Sequence, residues 1–170
     1  SMRATDINPS RLERAKRELI DLIQMLQGDR IGITGFAGVA FVHCPLTSDY
    51  RMARLFVSQL DPSIVPVQGT LIGDALKRAV QSLSKASSAS SQGKAIILIT
   101  DGEDQGSNPV AVAKEAAKDG IKIFAIGIGS AEGAPIPSAD GGFKKGRDGA
   151  MVLTRLGEST LQELATLTGG

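Results

Sequence analysis

Five apolar residues run from Ala95 to Ile99, three of them β-branched, and the chain then turns polar at Thr100-Asp101-Gly102-Glu103-Asp104. Such a run reads as a strand buried on both faces. A strand of this kind needs cover on each side, which points to an α/β sheet clad in helices. In open parallel sheets, ligands gather just past the carboxyl ends of the strands. The acidic cluster falls at that place, and oxygen-only donors suit a hard divalent cation such as Mg²⁺. The same residues also read as an ordinary turn after a core strand, because Asp-Gly is a common turn signal. On local sequence alone both readings stand.

The remaining pattern alternates helix and strand. Ser10, with Glu13 three residues on, forms a capping-box signature. Leu12, Ala15, Leu19, Leu22, Ile23 and Leu26 then recur at helical spacing until Gly28. Residues 30–36 and 40–44 read as two short strands of a hairpin around Ala37-Gly38. Helices are expected from Tyr50 to Leu60 and from Thr70 to Lys85. The serine-rich stretch 87–93 has the composition of a surface loop. Asn108 and Pro109 mark the start of a further helix, and residues 121–129 form the next strand. Asp148-Gly149 looks like a hairpin tip between 142–144 and 151–153. Ser159 with Gln162 opens a last helix, which ends at Gly169-Gly170.

Composition excludes several classes of function. With 170 residues, 42% apolar and 22% charged, the chain can build one sizeable core. A net charge of +1, one Tyr and no Trp give no basis for a nucleic-acid surface. Cys44 is the only cysteine, so no internal disulfide or thiolate cluster can form. No stretch reaches the roughly 20 apolar residues of a membrane-spanning helix, and the start carries no signal-peptide pattern. The segment is expected to be soluble.

Three separated pieces together resemble the von Willebrand factor A (VWA) domain, with its metal-ion-dependent adhesion site. Gln68-Gly69-Thr70-Leu71-Ile72-Gly73-Asp74 resembles the family's threonine piece, and Ile99-Thr100-Asp101-Gly102-Glu103 its aspartate piece. Ser1-Met2-Arg3-Ala4-Thr5-Asp6 resembles the tail of the Asp-x-Ser-x-Ser piece, with Ser1 at its last serine. Arg11-Leu12-Glu13-Arg14-Ala15-Lys16, Gly35-Phe36-Ala37-Gly38 and Cys44-Pro45-Leu46-Thr47 are similar to the bacterial membrane-anchored aerotolerance (Bat) group. The resemblance implies a doubly wound, Rossmann-like, mostly parallel α/β sheet flanked by helices, with a small C-terminal hairpin, as one domain over 1–170. The motif's Asp and first Ser, their strand and the family's final strand lie outside these residues. A large apolar gap is therefore expected, either because the domain extends beyond this segment at both ends or because a neighbour lends a strand.

The resemblance further implies a metal site at Ser1, Thr70 and Asp101. Hydroxyl donors leave a Mg²⁺ or Mn²⁺ ion electrophilic and open to an Asp or Glu of a protein partner. Such a partner would be a MoxR-type AAA+ ATPase or a related VWA protein. The parent protein would be anchored in the bacterial inner membrane. Thr70 also suits a plain N-cap. Glu103 and Asp104 read as solvated rim carboxylates, and Asp6 as a capping or turn residue ahead of one that shapes the first loop. Two alternatives stand beside this reading. One is a Mg²⁺-dependent phosphoester hydrolase using Asp101, Glu103 and Asp104, for which no general base or lysine gathers at the same strand end. The other is a metal-free scaffold.

Other signals are weaker. Gly127-Ile128-Gly129 hints at a dinucleotide fingerprint, but its third glycine is off register and prolines follow. His43 and Cys44 adjoin on a strand and point to opposite faces, which suits a packed thiol and a satisfied imidazole better than a shared metal. Lys144, Lys145 and Arg147 form a basic hairpin tip, a solvated turn or a contact for an acidic partner.

Overall fold

The computed structural model describes residues 1–62, 65, 67, 69–85, 93–138, 141–146 and 148–170. Gln68, the serine-rich stretch 87–92 and Arg147 lie outside the described residues.

Helix α1 spans Arg11–Met25, and Ser10 caps it by accepting a hydrogen bond from the Glu13 amide at 3.2 Å. Ala15 and Ile23 are buried, while Leu12, Leu19 and Leu22 are half-buried and face a groove described below. Strands β1 (Ile31–Phe36) and β2 (Ala40–Thr47) form the expected antiparallel hairpin, with Phe36 opposite Ala40. Helix α2 (Tyr50–Ser58) is capped by Asp49, whose carboxylate accepts from the amides of Arg51 and Met52. Helix α3 covers Ile72–Lys85.

Strand β3 (Lys94–Thr100) is followed by α4 (Pro109–Lys118) and β4 (Ile121–Gly127). These strands pair parallel and in register, Lys94 opposite Ile121 through Thr100 opposite Gly127. Asn108 adopts a left-handed backbone (φ 50°) and accepts from the Ala111 amide, with Pro109 at the first helical position. After β4 a small hairpin follows, in which β5 (Ala134–Pro135) pairs antiparallel with β6 (Leu153–Thr154). Its tip turns at Asp148-Gly149, where Gly146 donates to the Ala150 carbonyl. Helix α5 (Glu158–Thr168) closes the chain on Gly169, which takes a left-handed conformation. Its N-cap is Gly157 and no side chain caps it, so the expected Ser159 start is displaced. The Gly157 amide instead donates to the Asp101 carbonyl at 2.7 Å, which fixes where the helix begins.

The α/β plan is the one expected, with two hydrophobic clusters. Leu98, Ile121 and Ile123 pack with Leu76, Ala113 and Leu164 from the helices. Ile23, Ala53 and Val57 form the second cluster, under β1. Among the described residues β1 and β3 share no hydrogen bonds, since the ladders are β1–β2 and β3–β4. Between them runs a groove of about 760 Å³, lined by Leu19, Ile31, Ile33, Leu76, Ile97 and Ile99 among others. This is the expected apolar gap.

Both strands end at the same side of the molecule. The Ala37 carbonyl, just past β1, accepts from Leu71, and the Thr70 carbonyl accepts from Gln105, just past β3.

Candidate functional site

The carboxyl end of β3 brings Thr100 and Asp101 into the interior, with Asp101 1% exposed. A buried carboxylate needs partners to offset its lost hydration. Its Oδ2 accepts from Thr154 Oγ1 at 3.0 Å and from Arg11 Nη1 at 3.2 Å. Among the described residues its Oδ1 has only a long contact, 3.4 Å, from the Glu103 amide. One carboxylate oxygen is thus committed and the other is lightly held.

Arg11 is the residue that the sequence reading missed. It has no exposed surface, and its Nε and Nη2 each donate to Asp6 at 2.8 Å. Nη1 also donates to Thr154 Oγ1 and Nη2 to the Thr154 carbonyl. Gly129 (φ 151°) makes room for the guanidinium, since a Cβ there would lie 2.8 Å from Arg11 Cζ. Asp6 additionally accepts from the Ser130 amide at 2.9 Å. The hydrogen bonds from Arg11 hold the Asp6 carboxyl well below its ordinary value, at about 2. Asp6 therefore joins the first loop to the loop after β4, a larger role than a cap or a turn. A signal for Arg11 was present: it opens the stripe continued by Ala15, Leu19 and Leu22, an inward position for a charged residue. A cation at a helix start also opposes the helix dipole, which calls for nearby carboxylates.

Thr70 lies just before α3, and among the described residues its hydroxyl makes no hydrogen bond. The first amides of α3 are served from another loop. Asp104 Oδ1 accepts from Ile72 at 2.9 Å and Ser107 Oγ from Gly73 at 2.7 Å. Thr70 is therefore not the N-cap. Nor is Asp104 a solvated rim carboxylate, because it also accepts from the amides of Gly106 and Ser107 and from the Ser107 hydroxyl. Burial pushes the Asp104 carboxyl up, but the bonds from Ser107, Ile72 and Gly106 outweigh it and hold it below the ordinary range. Glu103 is likewise engaged, its Oε1 accepting from the Arg155 amide at 3.0 Å.

Ser1, Thr70 and Asp101 all line the groove, as does Lys144 of the hairpin. Burial pushes the Ser1 ammonium below its ordinary value, against the opposing pull of the Asp101 charge. The first loop is tied to α1 by bonds from Arg11 to the Ala4 carbonyl and from Leu12 to the Met2 carbonyl. Among the described residues no three His, Cys, Asp or Glu side chains gather in a metal-binding group. A metal here depends on hydroxyls. In their chemistry, two hydroxyls and one lightly held carboxylate oxygen are hard donors of the kind that suits Mg²⁺ or Mn²⁺.

The other candidates resolve simply. His43 Nε2 lies 2.9 Å from the Phe56 carbonyl, and the ring packs edge-on against Phe41 and Phe56. Cys44 is buried, and burial pushes its thiol up. Strand β4 ends at Gly127 with no helix directly after it, which removes the dinucleotide reading.

A model of the von Willebrand factor type A domain matches residues 3–138. The chain is 42% identical to a conserved hypothetical protein, BatB, from Bacteroides thetaiotaomicron. That match covers all of this chain and 82% of the other, with a TM-score of 0.94. An aerotolerance-related membrane protein from Bacteroides fragilis is 40% identical, with coverage of 100% and 83% and a TM-score of 0.94. A UPF0353 protein of Mycolicibacterium paratuberculosis is 30% identical across the whole chain, which covers 51% of that relative. The chain spans about half the length of the curated relatives it matches.

Proposed function

Because the chain belongs to the von Willebrand factor type A domain family, we propose that it is a protein-interaction module. In this reading Mg²⁺ or Mn²⁺, held by Ser1, Thr70 and Asp101, takes up the carboxylate of an Asp or Glu on a partner protein. Members of the family often mediate metal-dependent protein interactions. The observation that carries the reading is that three hard oxygen donors line one groove, with the Thr70 hydroxyl claimed by no described residue. Few direct charges leave such a cation electrophilic, and its octahedral demand keeps a position for an outside oxygen.

The groove between β1 and β3 takes a further strand in this reading, parallel to β3. The residues at that strand's end complete the donor set, and the apolar walls explain why such a strand would stay. The domain serves as the soluble part of a membrane-anchored bacterial protein. Among the described residues no helix is long and apolar enough to cross a membrane. A MoxR-type ATPase is one partner able to offer the carboxylate. Catalysis is not part of the reading, because Glu103 and Asp104 accept from backbone amides.

Calorimetric titration of Mg²⁺ and Mn²⁺ into chelator-treated protein tests the proposal. Saturable binding, abolished by Asp101→Ala and weakened by Thr70→Ala, is expected. A folded protein that binds neither ion, or binds equally well without the Asp101 carboxylate, would overturn it.

A further inference from the structure

One guanidinium serves two carboxylates at the candidate site. Arg11 makes two bonds of 2.8 Å to Asp6 and a longer one of 3.2 Å to Asp101. All three groups are held in place: Arg11 and Asp101 are buried, and Asp6 is 10% exposed in its side chain. In such surroundings charges act on one another far more strongly than in water. A divalent cation arriving at Asp101 meets a carboxylate whose charge is already partly met, and it is repelled by the guanidinium beside it.

We infer that Arg11 is a positioning residue and resident counter-ion that competes with the metal for Asp101, and that Asp6 sets how much of the guanidinium Asp101 receives. The inference rests on the metal-site reading above and adds its regulation. Arg11 holds Oδ2 with Thr154 and leaves Oδ1 for the ion or its water. The resulting metal site is weaker than its ligands alone would make it, and the bound ion keeps more attraction for a partner's carboxylate.

The two ends of this arrangement carry opposite signs. Removing the Arg11 charge gives the whole Asp101 charge to the metal and tightens binding. Removing the Asp6 charge turns the guanidinium wholly toward Asp101 and loosens it. An Arg11 that only props up the loop would loosen the site in both cases.

The test is calorimetric titration of Mn²⁺ into the whole protein and its Arg11→Gln and Asp6→Asn variants, with thermal unfolding in chelator and in Mn²⁺. Arg11→Gln is expected to bind roughly tenfold tighter or better, and Asp6→Asn weaker by a similar factor. Mn²⁺ should also raise the melting temperature of Arg11→Gln more than that of the parent. If Arg11→Gln does not fold in chelator, Arg11→Lys, which keeps a charge but cannot bridge both carboxylates, takes its place: tighter Mn²⁺ binding than the parent is expected, and weaker binding overturns the inference. Parent binding that neither variant changes, or that both weaken, overturns the inference and leaves the metal site standing. Folded protein with no saturable binding in any of the three overturns the metal site, and the inference with it.

Discussion

Arg11 Nη1 sits 3.2 Å from Asp101 Oδ2, joining the first residue of α1 to the first residue after β3. Arg11 has no exposed surface and Asp101 almost none, so each would be costly to bury alone. Thr154 closes a triangle with them, donating to Asp101 and accepting from Arg11. The base of the C-terminal hairpin is therefore fastened to the same carboxylate as the first loop. A change at Asp101 is felt in both.

Acid should weaken the fold through Asp6. Its carboxyl titrates at about 2 when folded, against an ordinary value of 3.8. A lowered folded pKa stabilises above the unfolded value, and that stability is lost as pH falls from about 4 through about 2, to the extent of about 2 kcal/mol. Urea unfolding at pH 5 and pH 2.5 measures the loss. Asp6→Asn should be less stable at pH 5 and should lose less on acidification.

Asp104→Ala should destabilise the start of α3. The substitution strips acceptors from the amides of Ile72, Gly106 and Ser107 at once. A lost cap alone costs about 1 kcal/mol, and the accompanying loop bonds bring the expected loss to about 2 kcal/mol. Amide exchange at Ile72 should accelerate while that at Leu98, in the core of β3, changes less.

Two glycines with similar backbones should respond differently to alanine. Gly102 (φ 79°) and Gly106 (φ 86°) both lie in the left-handed region. A Cβ on Gly102 would collide with the Gly157 carbonyl, whereas one on Gly106 meets nothing within 4 Å. Gly106→Ala should cost about 1 kcal/mol from backbone strain alone. Gly102→Ala adds a clash with rigid backbone and should cost about 3 kcal/mol. Denaturant midpoints of the two variants test the contrast.

What was legible in the sequence is what neighbours along the chain decide. The Ser10 cap, the Asn108-Pro109 start and the hairpin around Ala37-Gly38 depend on residues a few positions apart. All three are present. The apolar gap was legible only through the family resemblance, which implies a further strand outside these residues. Bonds between distant loops were not legible. Asp104 looked like a surface acid because its partner Ile72 lies 32 residues away. Ser159 looked like a cap because nothing local reveals the bond from Gly157 to Asp101. Arg11 was hidden differently: the stripe it belongs to was read from Leu12, one residue too late to include it.

Pro45 in β2 carries a consequence for solubility. Proline offers no amide to a neighbouring strand, and the ladder opposite it is already irregular between Ile31 and Thr34. The β1–β2 hairpin thus carries one position that can donate no ladder hydrogen bond. The β1 rim faces the groove. A peptide that adds as a strand would pair with that rim, and concentration-dependent self-association would be the first sign of such pairing.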